Sequence, residues 1–113
     1  MKNWNYILKV KISDKKLKKI IENEDTKKAI KVYGDKRARK IYQRYIELCN
    51  IDNFETLLNQ RVGRCHPLSG KLKGKYALDL DHPYRMVIKP IFTKDMVLKE
   101  VVVTEIIEII DYH

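Results

Sequence analysis

The sequence predicts an α+β domain: an N-terminal strand, two helices covering one sheet face, then a curved antiparallel sheet. Three observations carry that expectation. Trp4–Ile12 alternates apolar and polar residues, and the following stretch to Cys49 repeats apolar side chains at three-four spacing. After Val62 the chain reads as short β-runs punctuated by glycine and proline. Its 113 residues suffice for one core and not two, so a single domain over 1–113 is expected.

The opening strand places Trp4, Tyr6, Leu8, Val10 and Ile12 on one side and Lys9 and Lys11 on the other. Ser13 or Asp14 can cap the first helix, where Leu17, Ile20, Ile21, Ala29, Ile30 and Tyr33 are available for burial. The acidic patch Glu22–Asp25 either breaks that helix or decorates it. Gly34 ends it and Asp35 starts the next. In this second helix Ala38, Ile41, Tyr42, Tyr45, Ile46 and Cys49 form one buried stripe, with Arg37, Arg39, Lys40 and Arg44 off it.

A short helical turn around Phe54–Leu58 follows, then an irregular stretch marked by Gly63, Pro67, Gly70 and Gly74. Strands are expected at Tyr76–Leu80 and Tyr84–Phe92, joined through Asp81-His82-Pro83, with a further turn at Thr93–Asp95. The last apolar run, about Val97–Ile110, is long for one strand. Glu105 and Glu108 are an odd number apart and cannot share a face of a regular strand, so a bulge or strong curvature is expected. Two helices cover only one side of so small a sheet, which leaves the other side solvated or available to a ligand.

Charge narrows the function classes. Twenty-four Lys and Arg against 15 Asp and Glu give a net charge of +9. A field of that size favours polyanions, and nucleic acid is placed ahead of the alternative, a Lys-rich solvated surface that serves solubility alone. No N-terminal stretch resembles a signal peptide and no apolar run reaches spanning length, so a soluble, intracellular protein without a membrane partner is expected. Cys49 and Cys65 form no CxxC pair and no disulfide framework, which suits a reducing compartment. No zinc spacing, paired-carboxylate cluster, P-loop or GxGxxG occurs, and no metal or cofactor is expected.

Residues 61–89 hold Arg61, Arg64, Lys71, Lys73, Lys75, Arg85 and Lys89 against Asp79 and Asp81. Cations close to glycines, which let a backbone approach a ligand, suit phosphate contacts or else a solvated loop. Arg85 lies inside the apolar run Tyr84-Arg85-Met86-Val87-Ile88, where a guanidinium needs a partner. Either Asp79 on the neighbouring strand supplies it or a phosphate does, and the second reading is taken. His66 precedes a proline in the glycine-punctuated loop. His113 closes the chain, and alternation puts it on the face of Asp111, with Tyr112 opposite. Histidine carries protons near neutral pH, and a neighbouring carboxylate would orient its ring, although most surface histidines have no role and the residues alone favour that for each taken singly.

The segment RCHPLSGKLKGKYALDLDHPYRMVIKP with the terminal EIIDYH resembles the HigB branch of the RelE/ParE superfamily, the toxins of bacterial type II toxin–antitoxin pairs. Leu72-Lys73-Gly74, Tyr84-Arg85 and Asp111-Tyr112-His113 carry the likeness, in that order. It covers roughly the last half of the chain; the first sixty residues agree only in layout. Where many relatives have a Pro-Gly-Asn-Arg-like loop, this chain has His66-Pro67-Leu68-Ser69-Gly70.

The resemblance implies a RelE-like fold and a cytoplasmic bacterial endoribonuclease that cuts mRNA in the ribosomal A site without metal. It also implies a cognate antitoxin, usually a helix-turn-helix protein, with operator DNA bound only through the antitoxin complex. The 2′-hydroxyl would attack the adjacent phosphate, which needs a base, an acid and cations for the phosphoryl oxygens. By this likeness His66 and His113 transfer or position protons, and Asp111 orients a histidine or acts as base. Tyr112 stacks on a base or bonds the phosphate, and Lys73 and Arg85 stabilise charge. Arg64, Lys71, Lys75 and Lys89 would hold RNA. A gyrase inhibitor of the ParE type and a catalytically inactive RNA- or antitoxin-binding relative are the alternatives.

Overall fold

The computed structural model describes residues 8–92 and 103–111. Trp4, Tyr6, the turn expected at 93–95, residues 97–102 of the last apolar run, Tyr112 and His113 lie outside them.

The described chain is α+β, with strand β1 (Lys9–Ile12), helices α1 (Lys15–Glu22), α2 (Thr26–Tyr33), α3 (Asp35–Cys49) and α4 (Phe54–Asn59), and strands β2 (His66–Pro67), β3 (Tyr76–Asp79), β4 (Tyr84–Pro90) and β5 (Val103–Asp111). Among the described residues no helix is long and apolar enough to cross a membrane.

The expected first helix is two helices. Asp14 caps α1, its carboxylate accepting from the Leu17 N–H at 3.0 Å, and Asp25 caps α2 by accepting from Lys28. Between them Glu24 takes a left-handed φ of 50°, which a helix cannot contain. The acidic patch therefore breaks the helix, because its aspartate offers α2 a cap. Gly34, with φ 84°, separates α2 from α3.

The stripe expected on α3 also divides. Ala38, Ile41 and Leu48 are buried, Tyr42, Tyr45 and Cys49 are half-buried, and Ile46 is exposed. Ile30 on α2, expected inside, is exposed too. Arg44, placed off the stripe by its charge, is largely covered, because Nε donates to the Asp79 carbonyl at 2.7 Å and Nη1 to Glu47 Oε1 at 2.8 Å. Tertiary partners decide these three positions, and spacing alone does not see them.

The sheet is mixed, with order β1-β5-β4-β3-β2. Strands β2 to β5 run antiparallel in sequence, but β1 lies parallel to β5, Val10 opposite Thr104 and Ile12 opposite Ile106. The four helices between β1 and β2 are long enough to allow that return. The bulge is present: Val87 pairs with Glu108 and Ile88 with Ile106, so Ile107 is the extra residue on β5. It brings Glu105 and Glu108 to the same face.

The main core lies between the helices and one sheet face. Leu17, Ile41, Leu48 and Phe54 meet Leu78, Met86, Ile88 and Ile106 there, and the Phe54 ring stands edge-on to Tyr76 at 4.8 Å. The other face is not simply open. The 68–75 segment folds over it, seating Leu68 and Leu72 against Ala77, Val87, Ile107 and Ile110. Two leucines in a polar loop supply an apolar cover that composition alone did not reveal.

Candidate functional site

That second sheet face gathers most of the candidate residues. Directly paired residues share a face, and alternation carries the assignment along each strand. His66 pairs with Ala77, Ala77 with Val87, and Val87 with Glu108, making one row across four strands. Asp79 pairs with Arg85 and Arg85 with Ile110 in the next row of that face. Lys89, two residues beyond Val87, stands exposed opposite Glu105. His66 and Arg85 are thus two strands apart, roughly 10 Å across the sheet.

For Arg85 the structure supplies the counter-ion that the neighbouring strand offered. The residue is 9% exposed, and Nε lies 2.8 Å from Asp79 Oδ1. The Nε–H is not aligned on that oxygen as a hydrogen bond, so this contact is a charge pair. Nη1 donates to the Tyr84 carbonyl at 3.0 Å. Burial in an apolar strand demands a counter-charge, and the hairpin register puts one directly opposite.

Asp79 serves a second arginine. Arg64, whose side chain is 77% exposed, reaches Oδ2 with its Nε at 2.5 Å. One carboxylate therefore neutralises a covered guanidinium on one oxygen and holds a solvated one on the other. Nearby, Arg37 of α3 pairs with Asp81 at 3.3 Å and lies over the Tyr84 ring, its Cζ 3.2 Å from the centroid. With Arg44 on the Asp79 carbonyl, the start of the hairpin is ringed by four arginines. The sequence signal for Asp79 was strand alternation opposite Arg85; nothing local marked Arg37 or Arg44.

The turn before β2 is built on left-handed residues. Arg61, Gly63 and Arg64 have φ of 52°, 57° and 51°. A Cβ on Gly63 would stand 2.8 Å from Arg44 Nε, so glycine permits the close approach of loop and helix. Leu58, Arg61, Arg64, Cys65 and His66 line a hollow of about 370 Å³ beside it. The Cys65 thiol is buried and pushed up to about 12 by loss of solvation, so it is not a nucleophile at neutral pH.

His66 Nδ1 sits 2.9 Å from the Arg64 carbonyl. A carbonyl only accepts, so Nδ1 carries a proton and, in the neutral ring, Nε2 is the basic nitrogen. The expectation of an irregular loop here is corrected, since His66 and Pro67 form an edge strand. Lys71 and Lys73 are exposed on the segment that covers the sheet face, and Lys75, half-buried, gives its carbonyl to the Leu68 N–H at 2.9 Å.

No family model, curated protein or solved structure matches this chain. The site therefore stands on its own geometry.

Asp111 is exposed and pairs with Tyr84, on the helix side of the sheet, next along β5 from the row that holds Arg85. The structure brings Arg64, His66, Arg85 and Lys89 to one face or its edge, with Lys71 and Lys73 on the segment above. It sets Asp111 at the rim on the other side of the pleat. Among the described residues no three His, Cys, Asp or Glu side chains gather as a metal site. Chemically the face offers cations for an anionic ligand and one imidazole fixed in its tautomer.

Proposed function

We propose that the protein is an endoribonuclease toxin of a type II toxin–antitoxin pair, cutting mRNA on the ribosome by attack of the 2′-hydroxyl on its neighbouring phosphate. One observation carries the reading: His66, Arg85 and Lys89 share a sheet face beneath a segment that exposes Lys71 and Lys73. Single-stranded RNA is held chiefly by cations along its backbone. Cleavage adds a proton acceptor and positive charge at the phosphoryl oxygens. His66 supplies an imidazole nitrogen, Lys73 and Arg85 supply charge, and Asp111 at the strand end supplies a carboxylate. Tyr112 and His113 complete the proposed set from the resemblance. Lys71, Lys75 and Arg64 hold the strand, and the antitoxin and ribosome are the proposed partners.

A second reading, an RNA-binding relative without catalysis, draws on the Asp79–Arg85 pair, which gives Arg85 a structural duty. Induced expression separates the two. The wild type should arrest growth and leave cuts within translated messages mapped by primer extension, while His66→Ala, Lys73→Ala and His113→Ala should be tolerated with unchanged circular dichroism. Arrest that persists in all three with intact messages would overturn the nuclease reading.

A further inference from the structure

The turn between α4 and β2 keeps arginine where the backbone does not favour it. Arg61 has φ 52° and ψ 39°, and Arg64 has φ 51°. Left-handed backbone suits glycine and, after it, asparagine, so conformation explains neither residue. Departures of this kind gather where a side chain is needed in a fixed place. Arg64 has one structural duty, its pair with Asp79. Arg61 is exposed, and among the described residues its guanidinium has no hydrogen-bond or ion-pair partner.

Both arginines line the hollow of about 370 Å³, with Leu58, Cys65 and His66. Among the described residues no carboxylate lines it. Two guanidinium groups and an imidazole bring donors to it, while half-buried Leu58 and the buried Cys65 give it an apolar wall. Its volume is near the lower end of ligand clefts, about 300–1,000 Å³, which suits one nucleotide and not a length of strand. His66 belongs both to this lining and to the row of the second sheet face that runs through Ala77 and Val87. The hollow therefore continues that face beyond its edge strand.

We propose that the hollow seats a single nucleotide of an RNA strand, its base against Leu58 and the His66 ring and its phosphate on the Arg61 and Arg64 guanidinium groups. The inference rests on the RNA part of the proposed function and adds Arg61 as the residue that fixes the strand's position. An apolar wall beside two forked donors matches a ligand that is flat at one end and anionic at the other. A small inorganic anion would leave the Leu58 wall uncovered. An aliphatic ligand would cover the guanidinium groups without a counter-charge. Carboxylates of an acidic peptide would satisfy the arginines but bring no ring to the imidazole.

The probe is adenosine 5′-monophosphate, titrated into the ¹⁵N-labelled protein beside adenosine and inorganic phosphate. The nucleotide should bind about tenfold more tightly than either half, the low end of what one stacked base contributes, and should move the amide signals of residues 61–66. Arg61→Ala and Arg61→Gly, the second suited to the left-handed backbone, should each weaken the nucleotide about tenfold with circular dichroism unchanged. Nucleotide binding no tighter than phosphate, signals that move only elsewhere, or indifference to both substitutions would overturn the proposal. So would an acidic peptide that displaces the nucleotide more effectively than a 2′-O-methyl RNA of equal charge. Message cuts that persist in Arg61→Ala while the wild type ignores the nucleotide would sink this inference and leave the nuclease reading. A wild type that binds the nucleotide as described but leaves messages intact would do the reverse.

Discussion

Replacing Asp79 with alanine should be among the most damaging single changes in the described chain. The substitution leaves Arg85, 9% exposed, without the carboxylate 2.8 Å from its Nε. Removing one partner of a buried pair costs about 3–5 kcal/mol, because the remaining charge stays desolvated. Both side chains keep some solvent contact, 11% and 17%, so the lower end, about 3 kcal/mol, applies. An unfolding entropy of about 2.1 cal/mol/K per residue gives roughly 0.24 kcal/mol/K for this chain, hence a melting temperature lower by about 12 °C. Arg64→Ala removes the other ion pair of the same carboxylate, but at a side chain 77% exposed. Its cost should stay within about 1 kcal/mol, or roughly 4 °C. The double change Asp79→Leu with Arg85→Met removes both charges, so it should recover most of the loss. Differential scanning calorimetry of the four proteins decides the matter. Equal losses for Asp79→Ala and Arg64→Ala, or a double variant no more stable than Asp79→Ala, would refute the burial argument.

Gly63→Ala should cost about 1–2 kcal/mol in urea unfolding, since a left-handed φ of 57° and a Cβ 2.8 Å from Arg44 Nε act together. Gly70→Ala, at φ 63° but in open space, should cost only the backbone part, about 1 kcal/mol. The Cys65 thiol, pushed up to about 12 by burial, is thiolate in about one molecule in ten thousand at pH 8. Disulfide-exchange reagents should therefore reach the half-buried Cys49 first and Cys65 only on unfolding, with rates rising as pH rises; equal labelling of the two at neutral pH would contradict this. On the proposed RNA reading, Lys71→Ala and Lys73→Ala should each flatten the salt dependence of single-stranded RNA affinity by about 0.7 in log–log slope. Filter binding at several salt concentrations measures it, with unchanged circular dichroism as the control.

Local chemistry was readable in the sequence where a residue's role depends on its neighbours in the chain. Asp14 caps α1, Gly34 divides α2 from α3, and the odd spacing of Glu105 and Glu108 announced the bulge at Ile107. What escaped depends on contacts made at long range. Nothing in KVKI states that its strand pairs parallel to β5, because a period of two is common to both pairings. Three-four spacing predicts an apolar stripe but not its neighbour, so Ile46 read like Ile41 although only Ile41 meets the sheet side. Leu68 and Leu72 looked like loop residues until the face they cover was known. In the site, the register that unites His66 with Arg85 follows from a two-residue edge strand too short to detect by alternation. Arg85 showed in the sequence as an anomaly, and alternation offered Asp79 as its counter-ion; the coordinates place that carboxylate 2.8 Å from Nε.

That pair bears on any anion the face receives. A domain with a net charge of +9 must fold while its cations repel one another, and a carboxylate among them lowers that cost. Asp79 does so with both oxygens, and the two bonds differ in how readily they open. Arg85 is held in a covered strand, so its guanidinium stays where the register sets it. Arg64 is mostly in water and loses little when it leaves Oδ2. On the proposed RNA reading, a phosphate arriving at this face competes for Arg64 first, against a surface pair of about 1 kcal/mol or less, and meets Arg85 as a fixed charge behind it. On this ordering Arg64→Ala weakens anion binding without unfolding the protein, whereas Arg85→Ala does both, and comparing binding with melting for the two variants separates capture from support.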